Sequence, residues 1–148
     1  MSIWTRVMIA AYKGIPTIVG SLDSTVEKTA MGAFYYACDG TTVYDNIIDM
    51  TDRKVRLLNF LALTGQAVNV LPDDLKALIK ARIEGIKFDK IAKKLGCSMR
   101  TVFRYYEIAL NSMQKYLDLN GYNEEWMDKN SRRDSFLGRI RDRVEFLE

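Results

Sequence analysis

Apolar residues recur at helical spacing through almost the whole chain, and little interrupts them: 148 residues hold only two prolines and nine glycines. Strand-like alternation is nearly absent, so the pattern predicts an all-α fold. With 48% of its residues hydrophobic, the chain can bury a core without staples, as one domain or as two small helical lobes sharing a core.

A first short helix is predicted over Ile3 to Tyr12. Pro16 suits the first turn of a second helix running to about Ala37, with Ile18, Leu22, Val26, Ala30 and Phe34 at i,i+4 spacing. Asp39 to Thr42 reads as a turn. A short helix around Tyr44 to Ile48 follows, then Thr51 as the N-cap of a helix reaching about Val70. Of the 17 positions from Val55 to Leu71, 11 are apolar. That is too many for one exposed amphipathic helix, and places this segment at the centre of the fold or in a dimer contact.

Pro72 is expected in the first turn of a helix from Pro72 to Glu84, with Asp73 and Asp74 at its positive end and Gly85 terminating it. Next come Phe88 to Leu95, a break at Gly96, and Ser98 as N-cap of a long helix to about Leu119, ended by Gly121. Asn123 to Asn130 suggests a turn of helix. Phe136, Ile140, Val144 and Leu147 mark the apolar stripe of a last, basic helix. Three regions result: residues 1–71, a helical region for dimerisation or partner binding; 72–121, three short-jointed helices; and 122–148, a C-terminal basic amphipathic helix.

Cys38 and Cys97 are distant in sequence and there is no histidine, which excludes a zinc cluster and suits a reducing compartment. The start, MSIWTRVMIAAYKGIPTIVG, resembles a secretory signal only superficially, because Lys13 breaks the apolar run. No 18-residue apolar stretch occurs, so a cytoplasmic chain with no membrane span is expected. No glycine-rich phosphate loop or histidine base is present. Asp45 and Asp49, one turn apart, read as surface carboxylates rather than an acid/base pair. No cofactor and no enzymatic activity are expected.

The net charge of +3 conceals a strong local bias. Nine basic and only two acidic side chains fall between residues 76 and 104, against six basic and eight acidic in residues 1–75. Such concentration is the footprint of a phosphate-facing surface, although charge runs also serve merely to solvate a helix face. Within it lies a more specific constellation. Ala92 stands fifth from Phe88, Gly96 ninth, Val102 fifteenth and Tyr105 eighteenth, while Ile91 and Leu95 complete the inner side of the first helix. A small residue at the crossing, a glycine in the turn and apolar locks on the second helix are what a helix-turn-helix requires.

The run IEGIKFDKIAKKLGCSMRTVFRYYEIAL resembles region four of bacterial sigma factors and the related ArpU- and RinA-type phage transcription regulators, and is similar to the DNA-binding tail of serine recombinases. The resemblance covers roughly Leu75 to Met113 and says little about residues 1 to 70. It implies that the helix from Ser98 to Leu110 enters a DNA major groove. A recombinase would also need a nucleophilic serine in an α/β domain, which the helical first half does not suggest.

At about 100° per residue, Val102, Tyr105, Tyr106, Ala109, Leu110, Met113, Tyr116 and Leu117 share one side of the long helix. Arg100, Arg104, Glu107, Asn111, Gln114 and Asp118 share the other. In a groove, Arg100 and Arg104 are placed to read guanine, with Met99 and Phe103 near thymine methyls or sugars. Phe103 is equally suited to the core. Lys87, Lys90, Lys93, Lys94 and Ser98 would contact phosphates. Tyr105 and Tyr106 are expected in the core rather than as a stacking platform. On the last helix Arg132, Arg133, Arg139, Arg141 and Arg143 suit an outer face, as a second phosphate contact or beside an oligomerisation stripe.

Together these features predict a sequence-specific, sigma-like transcription regulator. Its partners would be double-stranded DNA, RNA polymerase and further copies of itself. The alternative is a helical protein-interaction module, binding polymerase or a phage assembly partner, with incidental DNA contact.

Overall fold

The computed structural model describes the backbone of residues 3–36 and 40–146, and the side chains of 3–32 and 43–145. Eight helices make up the described chain, with no strand among these residues: α1 (Trp4–Ala11), α2 (Ile15–Tyr36), α3 (Gly40–Asn69), α4 (Asp73–Ile83), α5 (Phe88–Leu95), α6 (Met99–Leu119), α7 (Glu124–Ser131) and α8 (Ser135–Phe146). Ala37, Cys38, Asp39, Leu147 and the Phe34 side chain, which figured in the expectations above, lie outside the described residues.

The main departure from expectation is α3. In place of a turn, a short helix and a capped second helix, one continuous helix runs through residues 40–69. Thr51 is not its N-cap but an interior residue whose Oγ1 donates to the Ile47 carbonyl at 2.8 Å. That local bond lets a threonine sit inside a helix. Continuity follows from packing, because the less exposed side of α3 carries on across the expected break through Val43, Ile47, Met50, Lys54 and Leu57. Helices α2 and α3 pair as an antiparallel hairpin, pinned by the Lys54 Nζ to Asp23 Oδ1 ion pair at 2.7 Å. Pro72 stands one residue outside α4, as its N-cap, with its carbonyl accepting from the Lys76 amide at 2.8 Å.

The first helix lies at the centre of the molecule. Trp4, Val7, Met8 and Ala11 are fully buried, and α1 packs on α3, α4, α6 and α8. They join Leu57, Phe60, Ala67 and Val68 of α3, Ile79 of α4, Leu110, Met113 and Leu117 of α6, Met127 of α7 and Leu137 of α8 in one core. Trp4 meets Phe60 edge to face, and its Nε1 donates to Asp128 Oδ1 at 2.8 Å, so the indole is satisfied where it is dry.

The last helix returns across α1. Asp134 caps it, accepting from the amides of Phe136 and Leu137 at 3.0 and 3.1 Å, while Arg53 of α3 donates from Nε to the same carboxylate at 2.7 Å. Burial pushes the Asp134 carboxyl up, but the Arg53 hydrogen bond and charge and the two amides together hold it below its ordinary range. Arg141 departs from the expected outer face and is 8% exposed. Its Nη1 donates to Glu145 Oε2 at 3.1 Å and its guanidinium lies 5.9 Å from the Trp4 ring. Because α8 packs on α1, an arginine on that side must go inside; Arg132, Arg133, Arg139 and Arg143 remain exposed.

Candidate nucleic-acid interface

A second, smaller core holds the α4–α6 region together. Leu78, Ile91, Ala92 and Val102 are buried in it, flanked by Ala81, Phe88, Cys97 and Tyr106. Tyr106 also packs on the main core, so it couples the two. Ala92 sits among these residues, where a larger side chain would push α5 from its neighbours.

The joint between α5 and α6 is set by backbone geometry. Gly96 has φ +68° and ψ +32°. Its amide donates to the Lys93 carbonyl at 3.3 Å and the Cys97 amide to the Ala92 carbonyl at 3.1 Å. This pair of bonds is the Schellman closure, which needs a left-handed residue and so favours glycine. Ser98 then turns the chain into α6, its Oγ accepting from the Thr101 amide at 3.2 Å.

The start of α6 is thereby held clear of the body. Arg100 and Arg104 are both exposed, one turn apart, and among the described residues neither has an ion-pair partner. With Thr101, Phe103 and Glu107 they line a shallow groove of about 390 Å³. Met99 is exposed at the first turn, and Lys87, Lys90, Lys93, Lys94 and Ser98 are exposed on α5 and the joint. The structure therefore places all nine candidate residues on the surface of one α5–α6 unit.

Phe103 falls between its two expected roles: it is 44% exposed, yet its ring centroid lies 4.7 Å from that of Phe88. Two residues expected inside are not. Tyr105 is 41% exposed, because α4 and α5 cover α6 on the side of Val102 and Tyr106 and leave the Tyr105 edge open. Leu95 is 59% exposed. It stands at the end of a helix of only eight residues, on the rim of an apolar groove between α4 and α5 of about 220 Å³.

Beside the exposed turn of α6 lies a cleft of about 610 Å³ that joins residues distant in sequence: Arg6 of α1, Arg82 of α4, Phe88 of α5, Phe103 and Glu107 of α6, and Arg143 of α8. Phe88 is its aromatic centre, edge-on to Tyr106 with centroids 5.1 Å apart. Burial pushes the Tyr106 hydroxyl above its ordinary range, and the Arg82 and Arg6 charges, with a hydrogen bond from Arg82, pull it back only in part. Nothing in local sequence pattern marks Arg6 or Arg143 as neighbours of α6, since only packing of α1 and α8 brings them there.

Among the described residues no group of cysteine and carboxylate side chains is assembled to hold a metal, and no helix is long and apolar enough to cross a membrane. No protein-family model matches the chain, and comparison with curated proteins and with solved structures likewise finds no match.

Proposed function

We propose that the chain is a DNA-binding transcription regulator of the sigma region four-like kind, a binding protein rather than an enzyme, acting in the cytoplasm of a bacterium or phage-infected cell. In this reading α5 and α6 form a helix-turn-helix, α6 enters the major groove, Arg100 and Arg104 read guanine, and Met99 and Phe103 lie against thymine methyls or sugars. Lys87, Lys90, Lys93, Lys94 and Ser98 hold the phosphates. The observation that carries it is the exposed pair Arg100 and Arg104, without a carboxylate partner among the described residues, on the first turns of a helix whose approach is ringed by four exposed lysines.

A second reading rests on the apolar content of the same unit. Leu95, Met99, Tyr105 and Ile108 are each at least 41% exposed, which also suits a protein partner such as RNA polymerase. A gel-shift titration with random and genomic fragments at two salt concentrations separates the two. DNA binding is expected to be retained best on particular fragments and to fall steeply with salt. Loss of any salt-sensitive binding would turn the assignment to the interaction module.

A further inference from the structure

Helix α3 carries two heptad stripes. The first, Val43, Ile47, Met50, Lys54, Leu57, Leu61, Thr64 and Val68, is turned inward and is buried or half-buried throughout. The second runs one residue further on, through Tyr44, Ile48, Thr51, Val55, Leu58 and Ala62, and every member of it is exposed. Its spacing alternates between four and three residues, the a/d pattern of a coiled-coil seam. At about 100° per residue, this stripe centres nearly opposite the side of α3 that carries Phe60, Thr64 and Ala67.

Tyr44 is 66% exposed and Val55 50%, with Ile48 and Leu58 each 40%. A single exposed leucine needs no explanation, but four large apolar side chains at heptad spacing over roughly 20 Å of helix form a continuous ridge. A ridge of this period fits another helix, because only a partner of matching pitch meets every knob along its length.

Charge and area identify that helix. Asp45 and Asp52 stand to one side of the ridge, with Asp49 further round the helix, so this edge offers nothing to a polyanion. A parallel pair of α3 helices would bring Asp45 and Asp52 of both copies, four carboxylates, to one seam, whereas an antiparallel pair centred near Val55 sets them at opposite ends. It also brings Asp52 of one copy within a turn of the exposed Arg56 of the other. The ridge offers on the order of 400 Å² of apolar side chain per copy; flanking Asp52, Asn59 and Gln66 extend it toward the ~800 Å² per partner of a standard interface.

We propose that the outer face of α3 seats a second copy of this chain, the two helices packing antiparallel along Tyr44, Ile48, Val55 and Leu58. The two hairpins then form a four-helix arrangement, and each copy carries its own α5–α6 unit. The inference does not depend on the nucleic-acid reading, because its test contains no DNA.

Sedimentation equilibrium of the full chain is expected to give the mass of two chains at micromolar concentration. Val55→Glu combined with Leu58→Glu is expected to give one, with helix content and unfolding of the single chain unchanged, since both positions are exposed. Asp52→Lys alone is expected to weaken the pair several-fold, and the swap Asp52→Lys with Arg56→Asp to restore it. A wild-type chain that stays single at 100-fold higher concentration, leaving the ridge to some other protein, would overturn the proposal. So would a pair untouched by the two glutamates, and a pair tightened by Asp52→Lys alone would overturn the antiparallel register.

Discussion

The guanidinium carbon of Arg82 lies 4.0 Å from the centroid of the Phe88 ring, and Arg82 Nη1 donates to the Ile86 carbonyl at 2.8 Å. One side chain of α4 therefore both closes the α4–α5 joint and backs the ring on which Phe103 and Tyr106 rest. The stack adds to the contact that buried Leu78 of α4 and Val102 of α6 make in the same small core. A planar cation suits the stack in a way that an ammonium does not.

The stack predicts a measurable coupling. Phe88→Ala should cost about 2 kcal/mol, less than the removal of a fully buried ring. A double-mutant cycle with Arg82→Ala, followed by urea denaturation, should give a coupling of about 0.5–1 kcal/mol. Strict additivity of the two substitutions would mean that the ring and the guanidinium are neighbours without mutual attraction.

If α6 reads DNA, its arginines and the lysines of α5 must fail differently. Arg100→Ala or Arg104→Ala should cost about 1–3 kcal/mol on the preferred site and relax base preference at one position. Lys93→Ala or Lys94→Ala should weaken all fragments alike and lower the salt slope by about 1. Binding titrations over a salt series decide this, and an equal loss on every fragment for Arg100→Ala would remove its base-reading role.

Gly96 tests the joint itself. A Cβ there would meet open space, so the cost of Gly96→Ala comes from φ +68° alone. That cost should be about 1–2 kcal/mol, and smaller for Gly96→Asn because asparagine tolerates the left-handed region. Thermal unfolding should rank wild type above Gly96→Asn above Gly96→Ala.

Asp134 ties acid stability to the α3–α8 contact. Its carboxyl titrates below the ordinary value of 3.8 in the folded chain, so folding favours the charged form. The stabilisation is complete above the unfolded value and is lost as pH falls through the folded one. Asp134→Asn should cost about 1–2 kcal/mol at neutral pH through loss of the charge that faces Arg53 and the helix N-terminus. The difference from wild type should shrink below about pH 4. A gap that stays constant down to pH 2 would count against this account.

Where a helix end is set by local chemistry alone, as between α5 and α6, the residue order showed it. Gly96 and Ser98 bound their joint where expected, and α5 spans Phe88–Leu95 as predicted, because a left-handed closure and a hydroxyl cap act within four residues. The outward placement of Arg100 and Arg104 was legible for the same reason: a helix of known start has a calculable face. What eluded the residue pattern depends on which partner covers which face. Thr51 resembles a cap until α2 is seen beside an uninterrupted α3, and Tyr105 resembles core until the width of α5 is known. Arg141 resembles surface until α8 is laid over Trp4, and Leu95 resembles a buried leucine until α5 is seen to end at the rim of a groove. Periodicity defines an apolar arc on each helix, but burial is a relation between helices, and long-range packing alone chooses how much of each arc is covered.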